Sequence, residues 1–400
     1  MRIFLMVGLA VAQDTLRFMA YNLLFYGSTP GFCDLACKDE QLRIILNAIK
    51  PHVLGVNEIA PDPLLMRRLL DSVLNIEGVS YWRSSYYANP SRSNIVSALF
   101  YDSRRLGWLK QELVTTQNNL RDVYAYHLFY KEREPQADTL FLVVIVSHLK
   151  AGDTPADAEA RAEAAEAIRR YIQELPENRR LFVIEMGDHN FYTAAEEGYQ
   201  SLVQALVDPA PAGDWSGNPL YAYFHTQSTR VSQLPDQGMG GGLNDRFDFI
   251  LFSPACTLSS SRMRYVPGSF RAVGQDGQRF GSSINSSPLP AGYDPSLINA
   301  LYTMSDHLPV IADFALSASP ALSLSDKKTM SFPFSYSVQS HTLSLWTRRE
   351  VWIQIWDGLG RQWVEEYIPN QSQRTYTLPP GLYLLCEREQ STCLHFLLLP

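Results

Sequence analysis

Between residues 15 and 316, short apolar runs alternate with segments whose apolar positions recur every three or four residues. The runs at 17–21, 53–56, 97–101, 141–146, 181–185, 247–252 and 309–314 read as strands. Helical spacing fits 41–49 and 63–74. A third helix starts at Asp153-Thr154-Pro155, where a capping hydroxyl precedes a proline at the first helical position, and runs to about residue 175. A shorter helix is expected over 194–207. The stretches 209–242 and 267–295, rich in Pro, Gly, Ser and Asp, are expected as loop. Strands mixed with helices, without the strict alternation of a parallel barrel, predict a layered α/β or α+β domain over 15–316.

Past that domain the pattern changes. A Ser/Ala-rich linker is expected at 317–329. Strand-like runs at 342–346, 351–356, 363–367, 376–378 and 382–386, with Asp357-Gly358-Leu359-Gly360 as a hairpin turn, predict a small all-β domain over 330–400.

A chain of 400 residues with 46% hydrophobic and 19% charged residues has globular composition and excludes a disordered or fibrous protein. No apolar run approaches the ~18 residues of a membrane span, so no transmembrane segment is expected. The formal charge is −7, and from Pro320 onward Lys/Arg and Asp/Glu balance, so the acidic excess lies on the preceding part. Such a domain lacks the broad basic face that holds a polyanion by counterion release. Phosphate chemistry would then need a metal.

Arg2, the apolar stretch 3–9 and Ala10-Val11-Ala12 fit a signal peptide over 1–12, cleaved after Ala12, and predict a secreted or cell-surface protein. Export permits disulfides. The cysteines form two close pairs, Cys33 with Cys37 and Cys386 with Cys393, and leave Cys256 as a small buried residue.

Several strand-like runs end in a group suited to metal or phosphate. Phe18-Met19-Ala20-Tyr21 ends at Asn22, Val53-Leu54-Gly55-Val56-Asn57 at Glu58, and the run through Ser147 at His148. The run at 181–186 meets Gly187-Asp188-His189-Asn190, Asp248 opens Asp248-Phe249-Ile250-Leu251-Phe252, and Ser305-Asp306-His307 precedes Leu308-Pro309-Val310-Ile311. Singly, Asn22, Glu58 and His148 each read more readily as a strand end meeting water, and Asp188 and Asn190 read equally as turn chemistry.

Their order resembles the endonuclease/exonuclease/phosphatase superfamily, which includes the deoxyribonuclease I-like nucleases and neutral sphingomyelinases. The resemblance runs over roughly 300 residues and six ordered motifs, among them Met19-Ala20-Tyr21-Asn22-Leu23-Leu24, Ser147-His148-Leu149-Lys150-Ala151-Gly152 and Ser305-Asp306-His307-Leu308-Pro309-Val310. It implies a four-layer α/β/β/α sandwich, deoxyribonuclease I-like, with the active site at one end. Asn22 and Glu58 then match the metal-proximal pair, Asp188 and Asn190 the transition-state pair, Asp306 with His307 the orienting and basic dyad, and His148 the additional histidine. Two positions depart from the family: Asn57 stands where Gln is common, and His189 where Phe separates Asp from Asn.

The chemistry of the residues points the same way. Glu58 offers a hard oxygen for Mg²⁺, with Mn²⁺ or Ca²⁺ as alternatives, and Asn22 and Asp306 are expected beside it. His307 can accept the proton of an attacking water. Adjacent side chains on a strand point oppositely, so its partner is Asp248, the family's Asp before the penultimate strand, more readily than Asp306. Asn190 would donate to the phosphoryl oxygens, and Asp188 would hold or deprotonate the nucleophile; both readings of the base, Asp188 and His307, stay open. His148 suits the phosphate or the leaving group. Arg121 offers a cationic fork to the substrate, or else pairs with Asp122 at the surface.

The tail, with Trp356-Asp357-Gly358-Leu359-Gly360-Arg361 and Leu378-Pro379-Pro380-Gly381-Leu382-Tyr383, resembles a C-terminal sorting domain of the type IX secretion system, which implies the secretion machinery as a partner. It departs at Phe332-Pro333-Phe334-Ser335, where Tyr-Pro-Asn-Pro is usual, and at an end without a basic residue.

The expectation is a secreted metal-dependent phosphodiesterase, a nuclease acting on nucleic acid. One rival is a sphingomyelinase-like enzyme acting on a lipid headgroup, for which Tyr221-Ala222-Tyr223-Phe224 is the candidate membrane-facing segment. The other is a noncatalytic surface-binding protein on the same scaffold.

Overall fold

The structure, a computed structural model, describes residues 14–28, 31–131 and 139–317, and in the C-terminal part 334–339, 342–347, 350–357, 362–370, 372–379, 381–387 and 392–398. The expected signal peptide (1–12), nearly all of the linker (318–329) and the turn at 358–360 lie outside the described residues.

The first half holds β1 (Asp14–Tyr26), α1 (Leu35–Ile49), β2 (Val53–Ile59), α2 (Pro63–Arg68), β3 (Trp82–Ser84), β4 (Val96–Asp102), β5 (Leu106–Thr115), β6 (Val123–Tyr130) and β7 (Phe141–His148). After it come α3 (Pro155–Glu174), α4 (Glu177–Arg180), β8 (Val183–Asp188), α5 (Glu197–Val203), β9 (Asp248–Phe252), β10 (Met263–Tyr265), β11 (Arg271–Ala272), α6 (Pro295–Met304) and β12 (Val310–Leu316). The cap expected at Thr154 is present as a reciprocal box with Asp157.

Two sheets result. One has the order β10-β12-β1-β2-β4-β3, with β11 also on β12; the other is β5-β6-β7-β8-β9. They pack face to face across a core that mixes Phe18, Ala20 and Val56 of the first with Val144, Val146 and Met186 of the second. Gly55 allows a close approach of the two sheets, since a Cβ there would meet Met186 and Val146 within 3.0 Å. On the outer face of the second sheet, α3 and α5 bury Ala164, Ile168, Tyr199 and Leu202 against Val143, Val183 and Phe249. Leu42 and Ile45 of α1 and Ile298 and Leu301 of α6 join the core of the first sheet. This is a four-layer α/β/β/α sandwich.

Three features differ from the pattern expected. β5 and β6 occupy a stretch without an expected strand; β5 is only partly buried and mixes Lys110, Gln111 and Glu112 with its apolar residues, whereas β6 is mostly buried. The expected loop at 267–295 is loop apart from the short β11, but a helix without an expectation, α6, follows it, started by Asp294, whose side chain accepts from Ser296 N. The expected helix at 63–74 changes pitch midway, from α2 to a π-helical turn over Leu69–Leu74.

Among the described residues of the C-terminal part, every regular element is a strand. The strands are β13 (Phe334–Gln339), β14 (Thr342–Thr347), β15 (Val351–Asp357), β16 (Gln362–Ile368), β17 (Gln373–Thr377), β18 (Gly381–Glu387) and β19 (Thr392–Leu398). These form the sheets β13-β14-β17 and β16-β15-β18-β19. Alternating Leu343 and Leu345, and Ile353 and Ile355, supply their core. Cys386 and Cys393 are register partners across the β18–β19 hairpin. Cys33 and Cys37 are joined by a disulfide, and Cys256 is free and buried.

Candidate active site

Strand ends of both sheets meet at one end of the sandwich. β1 and β2 run parallel with Asn22 beside Asn57, and β7 and β8 run parallel with His148 beside Asp188, which in turn faces Asp248 of antiparallel β9. Both strands of the first sheet are bulged here, β1 between Asn22 and Tyr26 and β2 between Val56 and Ile59. Leu24, Phe25 and Glu58 take positive φ near 50–60°. Bulges re-aim side chains, and the backbone strain of left-handed non-glycine residues is tolerated where surrounding bonds fix it. Leu24 N donates to Asn22 Oδ1 at 2.9 Å and Phe25 N to Glu58 Oε2 at 3.1 Å.

Asn57 locks the two sheets together at this edge. Its Nδ2 donates to Ser97 Oγ and Ser147 O, and its Oδ1 accepts from Asp188 N at 3.1 Å. Asn22 Nδ2 donates to both Glu58 Oε1 and Asp188 Oδ2 at 3.0 Å. His148 Nε2 lies 3.4 Å from Asp188 Oδ2 and 3.8 Å from Glu58 Oε1. Across the cleft, His307 Nδ1 is 2.8 Å from Asp248 Oδ2, and its Nε2 is 3.7 Å from Asp188 Oδ2. Asn190, at φ 54°, donates from Nδ2 to Leu149 O and from its backbone to Asp188 Oδ1.

Burial sets the charges. It raises the Asp188 carboxyl, with His307 and the Asn22 amide opposing and Asp248 and Glu58 adding to the rise. Glu58 is likewise raised by burial and by Asp306. His148 is pulled well below the usual imidazole range by burial and by the charges of Arg121, His307 and His189, so it stands neutral among carboxylates. Burial also works against a charge on His307, but Asp248, Asp188 and Asp306 outweigh it and carry the ring well above its ordinary value.

The expected residues thus converge, though not all in the expected arrangement. Glu58, His148 and Asp188 offer donor atoms within 4.8 Å of one another, a set fitted to a divalent cation. Asn22 turns its amide nitrogen, not its oxygen, toward the two carboxylates. Asp306 stands outside the triad, with Oδ2 accepting from Gln227 Nε2 and Met239 N. Its Oδ1 is buried without a hydrogen-bond partner, while its charge acts on Glu58. Arg121 donates to Leu149 O and feels Glu58 and Asp188; Asp122 takes Ser91 N instead.

Gln227 joins the site without a signal in the sequence. Its Nε2 donates to Asp306 Oδ2 at 3.1 Å and lies 2.7 Å from His307 Nε2. It sits in a stretch that reads as loop, and nothing in its spacing marks it. The departure at His189 forms a buried network: Nε2 is 2.5 Å from Glu185 Oε2, Nδ1 is 3.0 Å from Gly187 O, and Ser147 Oγ donates to Glu185 Oε1 at 2.5 Å. Both ring nitrogens face acceptors, which suits the imidazolium form. The Phe191 and Phe249 rings enclose it.

No protein-family model matches the chain, and no curated protein matches it. Solved structures do. The endonuclease/exonuclease/phosphatase from Bacteroides vulgatus is similar with a TM-score of 0.49 at 15% identity, over 76% of this chain and 100% of that one. D. rerio TDP2 complexed with single strand DNA product gives 0.48 at 17% identity, over 75% and 99%. Truncated Caenorhabditis elegans TDP2 gives 0.47 at 16%, over 75% and 98%.

Proposed function

We propose that this protein is a secreted, metal-dependent phosphodiesterase that hydrolyses nucleic acid by attack of water. The observation that carries the proposal is the convergence of Asn22, Glu58, His148, Asp188, Asp248 and His307, drawn from both sheets, on one buried cluster whose donors suit a divalent cation. Glu58, His148 and Asp188 would hold the ion, with Mg²⁺ proposed and Mn²⁺ a strong alternative because an imidazole joins the donor set. Such an ion neutralises charge on the phosphoryl oxygens and polarises the phosphorus centre.

The remaining roles belong to the chain itself. Asp248 fixes the His307 ring through Nδ1, and Nε2 lies 2.7 Å from Gln227 Nε2 and 3.7 Å from Asp188 Oδ2, so His307 and Asp188 would manage the proton of the attacking water between them. Asn190 and Arg121 supply fixed donors to the phosphoryl oxygens. Asn22, bonded to both carboxylates, keeps Glu58 and Asp188 in register. Gln227 orients Asp306 beside His307.

A lipid phosphodiester is the second reading. Val231 and Met239 are more than half exposed on the loop whose Met239 amide binds Asp306, and Tyr223 of the turn Pro219–Phe224 is also exposed. Hydrolysis of bis(p-nitrophenyl) phosphate with Mg²⁺, and its abolition by chelator, tests the chemistry. Turnover of DNA, RNA and sphingomyelin then separates the substrates. A folded protein without metal-dependent turnover on any of them refutes the proposal. Secretion is tested by locating the processed chain outside the cell.

A further inference from the structure

Lys38 lies in the first turns of α1, where the helix dipole disfavours a cation, and is only 4% exposed. Burying an ammonium is costly unless each of its three protons finds a partner. Here three carbonyls take them: Lys38 Nζ donates to Leu23 O at 2.7 Å, Leu24 O at 2.5 Å and Met304 O at 3.2 Å.

Those carbonyls belong to the two segments that present opposite halves of the site. Leu23 and Leu24 form the bulge after Asn22, where Leu24 N holds Asn22 Oδ1 and the next amide holds Glu58. Met304 ends α6 directly before Ser305, whose Oγ donates to Asn22 O at 2.7 Å and accepts from His307 N at 3.1 Å.

We infer that Lys38 is a positioning residue: one buried ammonium clamps the Asn22–Glu58 bulge to the segment bearing Asp306 and His307, and so sets the distance between the metal side and the proton side of the proposed site. The inference rests on the phosphodiesterase reading for its consequence, but not for its geometry. Burial lowers the Lys38 ammonium to about 8, with Asp236, Asp306 and Glu58 favouring the charge and Arg230 opposing it, so the clamp is in place at neutral pH and weakens above that value.

The test is Lys38→Met, of similar length but without the donors, in the full chain. Hydrogen exchange followed by mass spectrometry is expected to accelerate about tenfold or more at both 22–26 and 304–307, with β5 and β6 unchanged. Turnover of bis(p-nitrophenyl) phosphate should fall about 10- to 100-fold in kcat with little change in KM, the signature of misplaced catalytic groups. A merely structural role would lower the melting temperature and leave kcat per folded molecule intact. Should Lys38→Met not fold, the wild type answers in its place: protection at the two segments, corrected for intrinsic exchange, is expected to drop between pH 7 and pH 9.

Unchanged exchange at either segment, or protection constant across that pH range, overturns the inference whatever the turnover. Wild-type protein that binds and hydrolyses nothing, while Lys38→Met loosens both segments, overturns the phosphodiesterase reading and leaves the clamp standing.

Discussion

At the scale of single residues, the site is held by groups whose burial is expensive, and the expense falls where the chemistry is proposed. In the proposed reaction Asp188 and His307 carry the proton traffic, so Asp188→Asn and His307→Gln should each lower kcat about 10²- to 10⁴-fold, the usual range for a positioned acid or base. Circular dichroism and the melting temperature should stay near wild type. Loss of folding in both, or activity within a few-fold of wild type, would contradict these roles. Glu185 and His189 make a different case. Neither touches the cleft, yet both are fully buried behind Asp188, with Ser147 as a third member. Breaking a buried pair costs about 3–5 kcal/mol, whereas replacing both members with apolar residues is often neutral. His189→Phe alone should therefore be strongly destabilised, and Glu185→Leu with His189→Phe should recover most of the loss in a denaturant titration.

At the scale of elements, the close contact of β7 and β8 depends on a glycine. Gly187 has φ +144°, and a Cβ there would lie 2.0 Å from Ser147 O. Gly187→Ala must part the two strands that carry His148 and Asp188. It should cost several kcal/mol by urea titration, at the far end of the roughly 0.5–3 kcal/mol range of ordinary substitutions, and abolish turnover in what remains folded. Elsewhere, His52 ties β1 to the β4–β5 turn: Arg17 N–H faces Nδ1 and the Arg105 guanidinium faces Nε2. Burial, aided by Arg105, pushes the ring down to about 4. In the unfolded chain it titrates near ~6.5. Between those values the unfolded state binds the extra proton, so this contribution is full above pH 6.5 and is lost as pH falls through 4. Melting temperatures measured from pH 7 to pH 4 should fall more steeply for wild type than for His52→Gln. Such elements differ in how far the sequence announces them. Asn22, Glu58, His148 and Asp188 end apolar runs buried on both faces, and that burial makes the runs visible as pattern. β5 mixes polar and apolar positions without a clean period, and α6 opens on Pro295 directly after a stretch dominated by turn residues. Gln227 reaches His307 only through tertiary folding of a loop, so local pattern holds no trace of it.

For the whole molecule, charge decides how a nucleic acid would approach. Asp and Glu number 41 against 34 Lys and Arg, and the seven-charge excess lies ahead of Pro320. A protein that grips a polyanion through a basic face releases counterions, and its affinity falls steeply with salt. An acidic surface repels the strand instead. Raising ionic strength shortens the screening length from about 30 Å at 0.01 M to about 10 Å at 0.1 M, which relieves that repulsion. With Mg²⁺ saturating, kcat/KM on a single-stranded oligonucleotide should therefore hold steady or rise between roughly 0.01 and 0.1 M NaCl, the range of those screening lengths. Bis(p-nitrophenyl) phosphate, with a single charge, should barely respond. The same comparison separates local from global recognition. If the buried cluster and Arg121 supply the binding, lengthening the oligonucleotide gains little, because each added phosphate meets an acidic surface. A fall in kcat/KM of about 10²-fold or more over that salt range would require a basic track along the strand, and would remove the reason for assigning phosphate neutralisation to a metal held by Glu58, His148 and Asp188.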